Sequence, residues 1–201
     1  MFDTAFTFGI DRLINGSDPR LNALQAFSEA ASASKNTILL DSICMSSGKD
    51  SFSSFAIRED LISPSFLKNS GLLAANAEGT FEQMLRTAYA SFRPEVSFMV
   101  FAFQDWVRSA SLYRAFRTRS GNLPWMQWPS ELRDQPKTQD VDLRAYQDEI
   151  LYGAFVQMQL FLEWKEIREA AYAKGLKIIG RLPYASAADS IDVWSHQDLF
   201  Q

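Results

Sequence analysis

"FVQMQLFLEWKEIREAAYAKGLKIIG", residues 155–180, joins two periodicities with almost nothing between them. Leu151, Phe155, Met158, Leu162 and the segment from Trp164 to Ile167 recur at three- and four-residue spacing, which predicts a helix over 148–173 with Phe155, Met158 and Leu162 as a core stripe. Gly175 supplies a residue that tolerates the left-handed conformation at a helix end, and the apolar "LKII" (176–179) follows at once as a strand. A helix feeding straight into a buried strand is the unit of a parallel sheet, because parallel strands need a crossover between them.

The same order occurs upstream. Leu21, Leu24, Phe27 and Ala31 mark a helix over 21–31, "TILL" (37–40) reads as a buried strand, and "TAFTFGI" (4–10) offers a third. Between the strands, "SICMSSGKDSFSSFAIRED" (42–60) lacks a period and reads as a long loop, and Ser63 before Pro64 caps a short helix. Helical periods over 81–92 and 95–118 and the Pro-punctuated "GNLPWMQWPSELRDQPKTQ" (121–139) form an expected helical insertion and loop, 81–147, inside one domain of 1–201. The expected class is therefore α/β.

Composition removes several functions. A 47% hydrophobic chain of 201 residues can build a core, and a net charge of −4 with no basic block lacks the footprint of a nucleic-acid binder. Cys44 has no partner for an internal disulfide, which suits a reducing cytoplasm, and it is expected as a small buried side chain. One cysteine and His196 cannot build a metal cluster, so no metal is expected. The start of the sequence lacks the pattern of a signal peptide, and "FMVFAF" (98–103) is too short to span a bilayer, so a soluble, cytoplasmic protein without a membrane partner is expected.

Four ordered segments resemble one enzyme family. "WVRSASLYRAFRTRSGNLPWMQWPSELRD" (106–134) is similar to a helix and loop with a W-x-x-W-P-x-x-L-R element, carried by Trp125, Trp128, Pro129, Leu132 and Arg133. "DSIDVWSHQDLF" (189–200) matches D-S-A-D-V-W-x-x-P-x-L-F through Asp189, Ser190, Asp192, Val193, Trp194, Leu199 and Phe200. "SGKDSFSSFA" (47–56), continued by "LISP" (61–64), aligns on S-P-Y-Q-S-F-S-A-F-A, and the stretch at 155–180 is the fourth match. Together they resemble the amino-terminal part of 4-α-glucanotransferase, also called amylomaltase or disproportionating enzyme, glycoside hydrolase family 77.

The resemblance implies an incomplete (β/α)8 TIM-barrel fragment with a helical insertion between its strands. It also implies transfer of α-1,4-glucan chains between maltooligosaccharides, in glycogen or starch metabolism, with no cofactor. Retaining transfer needs two carboxyl groups about 5–5.5 Å apart, one as nucleophile and one as acid/base. In the family these lie on later strands, so the resemblance implies no catalytic residue in 1–201.

Two family positions that bind sugar have changed. Lys49 stands for a stacking tyrosine and Arg181 for an aspartate that holds glucose hydroxyls; a lysine has no ring face, and an arginine cannot accept from a hydroxyl. Asp189, Ser190, Asp192, Trp194, Trp125 and Trp128 remain as loop or glucan contacts, the aspartates expected to shape the loop, Arg181 to pair with one of them, and the tryptophans to seal a small core. His196 reads as a surface residue, and Ser46, Ser47, Ser51, Ser53 and Ser54 as turn formers. The expected function is that of a truncated, divergent relative of 4-α-glucanotransferase, inactive alone. The alternatives are one half of a split enzyme, or a non-catalytic glucan-binding or interaction module. Expected partners are a maltooligosaccharide or glucan and, through open strand edges, a complementing chain or a second copy.

Overall fold

The computed structural model describes residues 5–8, 18–44, 46–47, 50–51, 53–180 and 185–200. In chain order the elements are strand β1 (Ala5–Phe8), helix α1 (Pro19–Ser32), β2 (Thr37–Leu40), the two-residue strands β3 (Ser46–Ser47) and β4 (Asp50–Ser51), α2 (Pro64–Asn69), α3 (Phe81–Ser91), α4 (Val96–Ala102), α5 (Asp105–Arg119), the short α6 (Ser130–Arg133) and α7 (Gln135–Thr138), the long α8 (Gln147–Ala173), β5 (Lys177–Gly180) and α9 (Ile191–Ser195). β1, β2 and β5 form a parallel sheet with β2 in the centre, registered Phe6 to Ile38 to Ile178. The β-branched Thr37 and Ile38 of the central strand are each 1% exposed, as a strand covered on both faces requires. The chain is thus a mixed, mainly helical α/β protein with a small parallel sheet.

α8 ends as its sequence predicts. Gly175 takes φ +73°, the Leu176 N–H donates to the Ala171 carbonyl at 3.1 Å, and the Gly175 N–H donates to Tyr172 at 2.9 Å. This is the paired closure of a Schellman motif, and buried Leu176 and Ala171 bring its apolar contact. The strand starts one residue later than expected, at Lys177.

The described residues group into two compact units, one drawn from 1–43, 58–93 and 159–182, the other from 44–57, 94–158 and 183–201. The first holds the three-stranded sheet and a buried polar knot. Asp18 caps α1 by accepting from the Leu21 N–H at 3.1 Å, and Ser63 caps α2 by accepting from the Phe66 N–H at 3.2 Å, with Pro64 in the first turn. The Ser63 hydroxyl lies 2.7–2.8 Å from both Asp18 carboxylate oxygens, and the Ser63 N–H donates to Glu163 Oε2 at 3.0 Å. Burial alone would raise Asp18, but hydrogen bonds from Ser63, Ser65 and the Leu21 N–H outweigh it and hold the group below the ordinary carboxylate range. Glu163 is 2% exposed, and burial pushes it up to about 8; the Ser63 N–H works against the rise, and the charge of Asp18 adds to it.

Several expectations need correction. In α1 the buried face is Pro19, Ala23, Ala26, Phe27 and Ala30, while Leu21 is 58% exposed, because small alanines rather than leucines fill the contact. In α8 Phe155 is fully buried and Met158 half-buried, but Leu162 is 38% exposed and Glu163 takes the inward position beside it. The helix expected over 95–118 is broken between α4 and α5, with Gln104 extended at φ −63°, ψ 137°. Phe98 and Val107, both buried, are nine residues apart, which is two and a half turns, so an unbroken helix would point them to opposite faces. With the break, both are buried. The expected loop 42–60 contains the β3–β4 pair and a bridge between Cys44 and Ile57, and Cys44 is half-buried rather than buried, its sulfur 3.3 Å from the Ser54 carbonyl oxygen.

Glu163 gives a pH test. Between the ordinary carboxylate range and about pH 8, the folded chain keeps a proton on Glu163 that the unfolded chain has released, so this group makes stability fall as pH rises. Asp18 acts in the opposite sense only at lower pH, where its contribution is lost on acidification. Unfolding free energies from urea titrations across this window should decline for the wild type by up to about 1.4 kcal/mol per pH unit and be flatter for Glu163→Gln.

Candidate functional site

In the second unit, the loop that carries the sequence-singled residues is organised from α9. Ser190 is its N-cap, accepting from the Val193 N–H at 3.1 Å. The cap sends Ile191 and Trp194, 4% and 1% exposed, into the core. Trp194 meets Trp128 at 5.9 Å, Tyr113 at 5.6 Å and Phe116 at 5.9 Å between ring centroids, all edge-on, and Trp128 lies 5.1 Å from Tyr113. Ala56, Ala110, Leu112 and Leu132 complete this cluster. Edge-to-face contacts of this kind add about 0.5–1.5 kcal/mol each beyond area burial.

The indole N–H groups of Trp125, Trp128 and Trp194 are each taken by a backbone carbonyl. Trp194 donates to Arg133 at 3.1 Å, Trp128 to Leu123 at 2.8 Å and Trp125 to Ala188 at 2.8 Å. Trp128 and Trp194 therefore present no free face to a sugar, and Trp125 is half-buried.

Asp189 is the polar hub. Its Oδ1 accepts from the Tyr113 hydroxyl at 2.8 Å and from the Trp125 N–H at 2.9 Å, and its Oδ2 accepts from Arg117 at 2.9 Å. Arg117 also donates to the Tyr113 oxygen at 2.9 Å, closing a triangle. Burial pushes the Tyr113 hydroxyl far above its ordinary value, the bond to Asp189 and its charge push further, and Arg117 only partly offsets them. Tyr113 consequently keeps its proton and donates a hydrogen bond to Asp189. Asp192 holds the Ser/Gly-rich segment, accepting from the Ser54 N–H at 2.8 Å and the Ser54 hydroxyl at 2.7 Å. Ser53 turns that segment by accepting from Phe55 and Ala56, and the Gln157 amide bonds both the N–H and the carbonyl of Ile57.

The structure thus brings together Asp189, Ser190, Asp192, Trp194, Trp125 and Trp128, and gives them to packing and hydrogen bonding. Lys49 and Arg181 lie outside the described residues, so the pair expected for Arg181 does too; the cation on Asp189 is Arg117. His196 is exposed, its Nδ1 2.9 Å from the Ser195 hydroxyl. Among the described residues no group of His, Cys, Asp and Glu could hold a metal ion, and no helix is long and apolar enough to cross a membrane. Sequence reasoning passed over Tyr113 and Arg117, and read Ser54 as a turn former without its bond to Asp192. Tyr113 and Arg117 are four apart on one helix face, a spacing that signals a side-chain pair without naming its acceptor.

A family model for 4-alpha-glucanotransferase matches residues 47–201. The chain belongs to the 4-alpha-glucanotransferase family. It is similar to the 4-alpha-glucanotransferase of Thermus thermophilus, 34% identical over 57% of this chain and 22% of that protein, and to that of Aquifex aeolicus, 30% identical over 72% and 31%. Its fold is similar to that of an amylomaltase from Streptococcus agalactiae in complex with acarbose, with a TM-score of 0.81 at 21% identity over 98% of this chain and 46% of that one. The chain therefore spans about a quarter of the length of these 4-alpha-glucanotransferases and just under half of the amylomaltase chain.

If Asp189 is a structural hub, Asp189→Ala should lower the unfolding free energy by about 2–3 kcal/mol, since it strands donors that now bond a charged acceptor. Urea unfolding followed by tryptophan fluorescence reads this directly, and an unchanged midpoint would refute the structural role.

Proposed function

We propose that the chain is a partial, divergent 4-α-glucanotransferase that does not transfer glucan chains by itself. On this reading it is a single domain with residues 81–147 as a helical insertion, a piece of a (β/α)8 barrel corresponding to the amino-terminal part of the family. Its ligand class is the α-1,4-glucan of carbohydrate metabolism, in the cytoplasm. The observation that carries the proposal is the state of the loop carboxylates: Asp189 accepts from Tyr113, Arg117 and Trp125, and Asp192 from Ser54, so neither stands as half of the free pair that retaining transfer needs. The cations Lys49 and Arg181, at positions where the family binds sugar, support the same reading. Incubated with maltotriose, the purified chain should release no glucose above background; release at a rate typical of enzymes would overturn the proposal.

A second reading, the split enzyme, is favoured by open surface. Among the described strands β1 and β5 each have a single neighbour, β2, and Val96, Val100 and Phe103 are 81%, 65% and 68% exposed. Unpaired edges and apolar faces favour a second chain. Size-exclusion chromatography with light scattering from the native cell should then give a complex of this chain with one that carries the carboxylates, and recovery as a lone monomer would refute it. The glucan-binding module keeps one aromatic candidate, the half-buried Trp125.

A further inference from the structure

In the unit that holds the sheet, Arg20, Phe66, Asn69, Gln159, Leu162 and Glu166 line an open groove of about 450 Å³ between α1, α2 and α8. This volume is in the range of small-molecule sites, roughly 300–1,000 Å³. We propose that the groove binds a neutral polyhydroxylated ligand, and specifically a short α-linked glucan; the choice of sugar rests on the family reading above, and the class of ligand on the lining.

The charges of the groove are spent on one another. Arg20 pairs with Glu166 at 2.8 Å, and Lys165 lies 3.9 Å from Glu169, so two cations face two anions and no net charge selects an ion. What remains without partners among the described residues is neutral. Gln159 is only 3% exposed, yet its side-chain amide makes no hydrogen bond to another described residue, and it lines the groove. Its amide atoms are not among the sealed, unsatisfied atoms of the described residues, so they reach the solvent of the groove, where a ligand can bond them. Asn69, exposed at the end of α2, adds a second free amide.

An amide offers a donor and an acceptor side by side, and a sugar hydroxyl both donates and accepts, so two amides suit a polyol better than an ion of either sign. Leu162, turned outward against its sequence expectation, supplies an apolar ledge for the C–H face of a pyranose. The Phe66 ring is already covered by the Arg20 guanidinium, 5.9 Å from its centroid, so recognition here is by hydrogen bonds and the ledge rather than by ring stacking.

The full chain, labelled with ¹⁵N, is titrated with maltotriose while side-chain amide resonances and calorimetric heat are followed. The Gln159 and Asn69 NH₂ signals, assigned by their loss in the variants, should shift saturably. Gln159→Leu should weaken binding at least fivefold with an unfolding midpoint no lower than wild type, and Asn69→Ala, at an exposed position, should weaken it at least twofold. Saturable binding that neither variant weakens would refute the groove while leaving a glucan-binding family member in place. Unmoved amides and no heat would refute the groove too, and the maltotriose transfer assay judges the family activity separately.

Discussion

A carboxylate at position 189 has to be satisfied where water reaches it poorly, and the second unit is arranged around that need. Tyr113 and Arg117 come from one face of α5, and the Trp125 N–H from the loop that follows it. Meeting the demands of one aspartate fixes the loop before α9 to the helix at 105–119 and to the turn at 125–127 at the same time. The aromatic cluster then closes beneath it, because Ser190 and Ile191 follow Asp189 directly and aim Trp194 inward. Removing the charge would take away the acceptor that a hydroxyl, a guanidinium and a backbone N–H share, which is why a partly buried ion of this kind is costly to break even where it contributes little net stability.

That arrangement bears on chemistry. An aspartate pair in a loop after a parallel strand invites a catalytic reading, but a general acid or nucleophile must keep a lone pair or a proton for the substrate. Asp189 and Asp192 bond their own chain instead. Kinship with 4-alpha-glucanotransferases and possession of their reaction are therefore separate matters, since a fold is inherited as a whole and an activity resides in a few groups.

The sheet-bearing unit uses the same economy of buried polar groups with a different result. Ser63 serves Asp18 and Glu163 at once and caps α2 as well. Glu163 Oε1 has no bond, and burial favours its neutral form. Where Asp189 is paired with Arg117 at 2.9 Å, Glu163 is pushed toward neutrality chiefly by burial.

The amino-acid sequence by itself determined the elements whose signals are local. The stop of α8 at Gly175, the cap at Ser63, the strand at 37–40, the strand just after Gly175 and the family motifs all rest on residues within a few positions of one another, so pattern and turn chemistry were enough to read them. The cap of α9, by contrast, fell to Ser190 rather than to an aspartate. The break at Gln104 was hidden, because apolar residues continue through it and only the shared burial of Phe98 and Val107 demands it. The burial of Glu163 had no local signal because its donor, Ser63, is 100 residues away, and Asp189 reads in the sequence as shaping its loop without its partners because Tyr113 and Arg117 are 76 and 72 residues away. Which face of a helix is buried, and whether a carboxylate is free, are decided by hydrogen bonds and contacts that span such distances, and these exist only once the chain has folded.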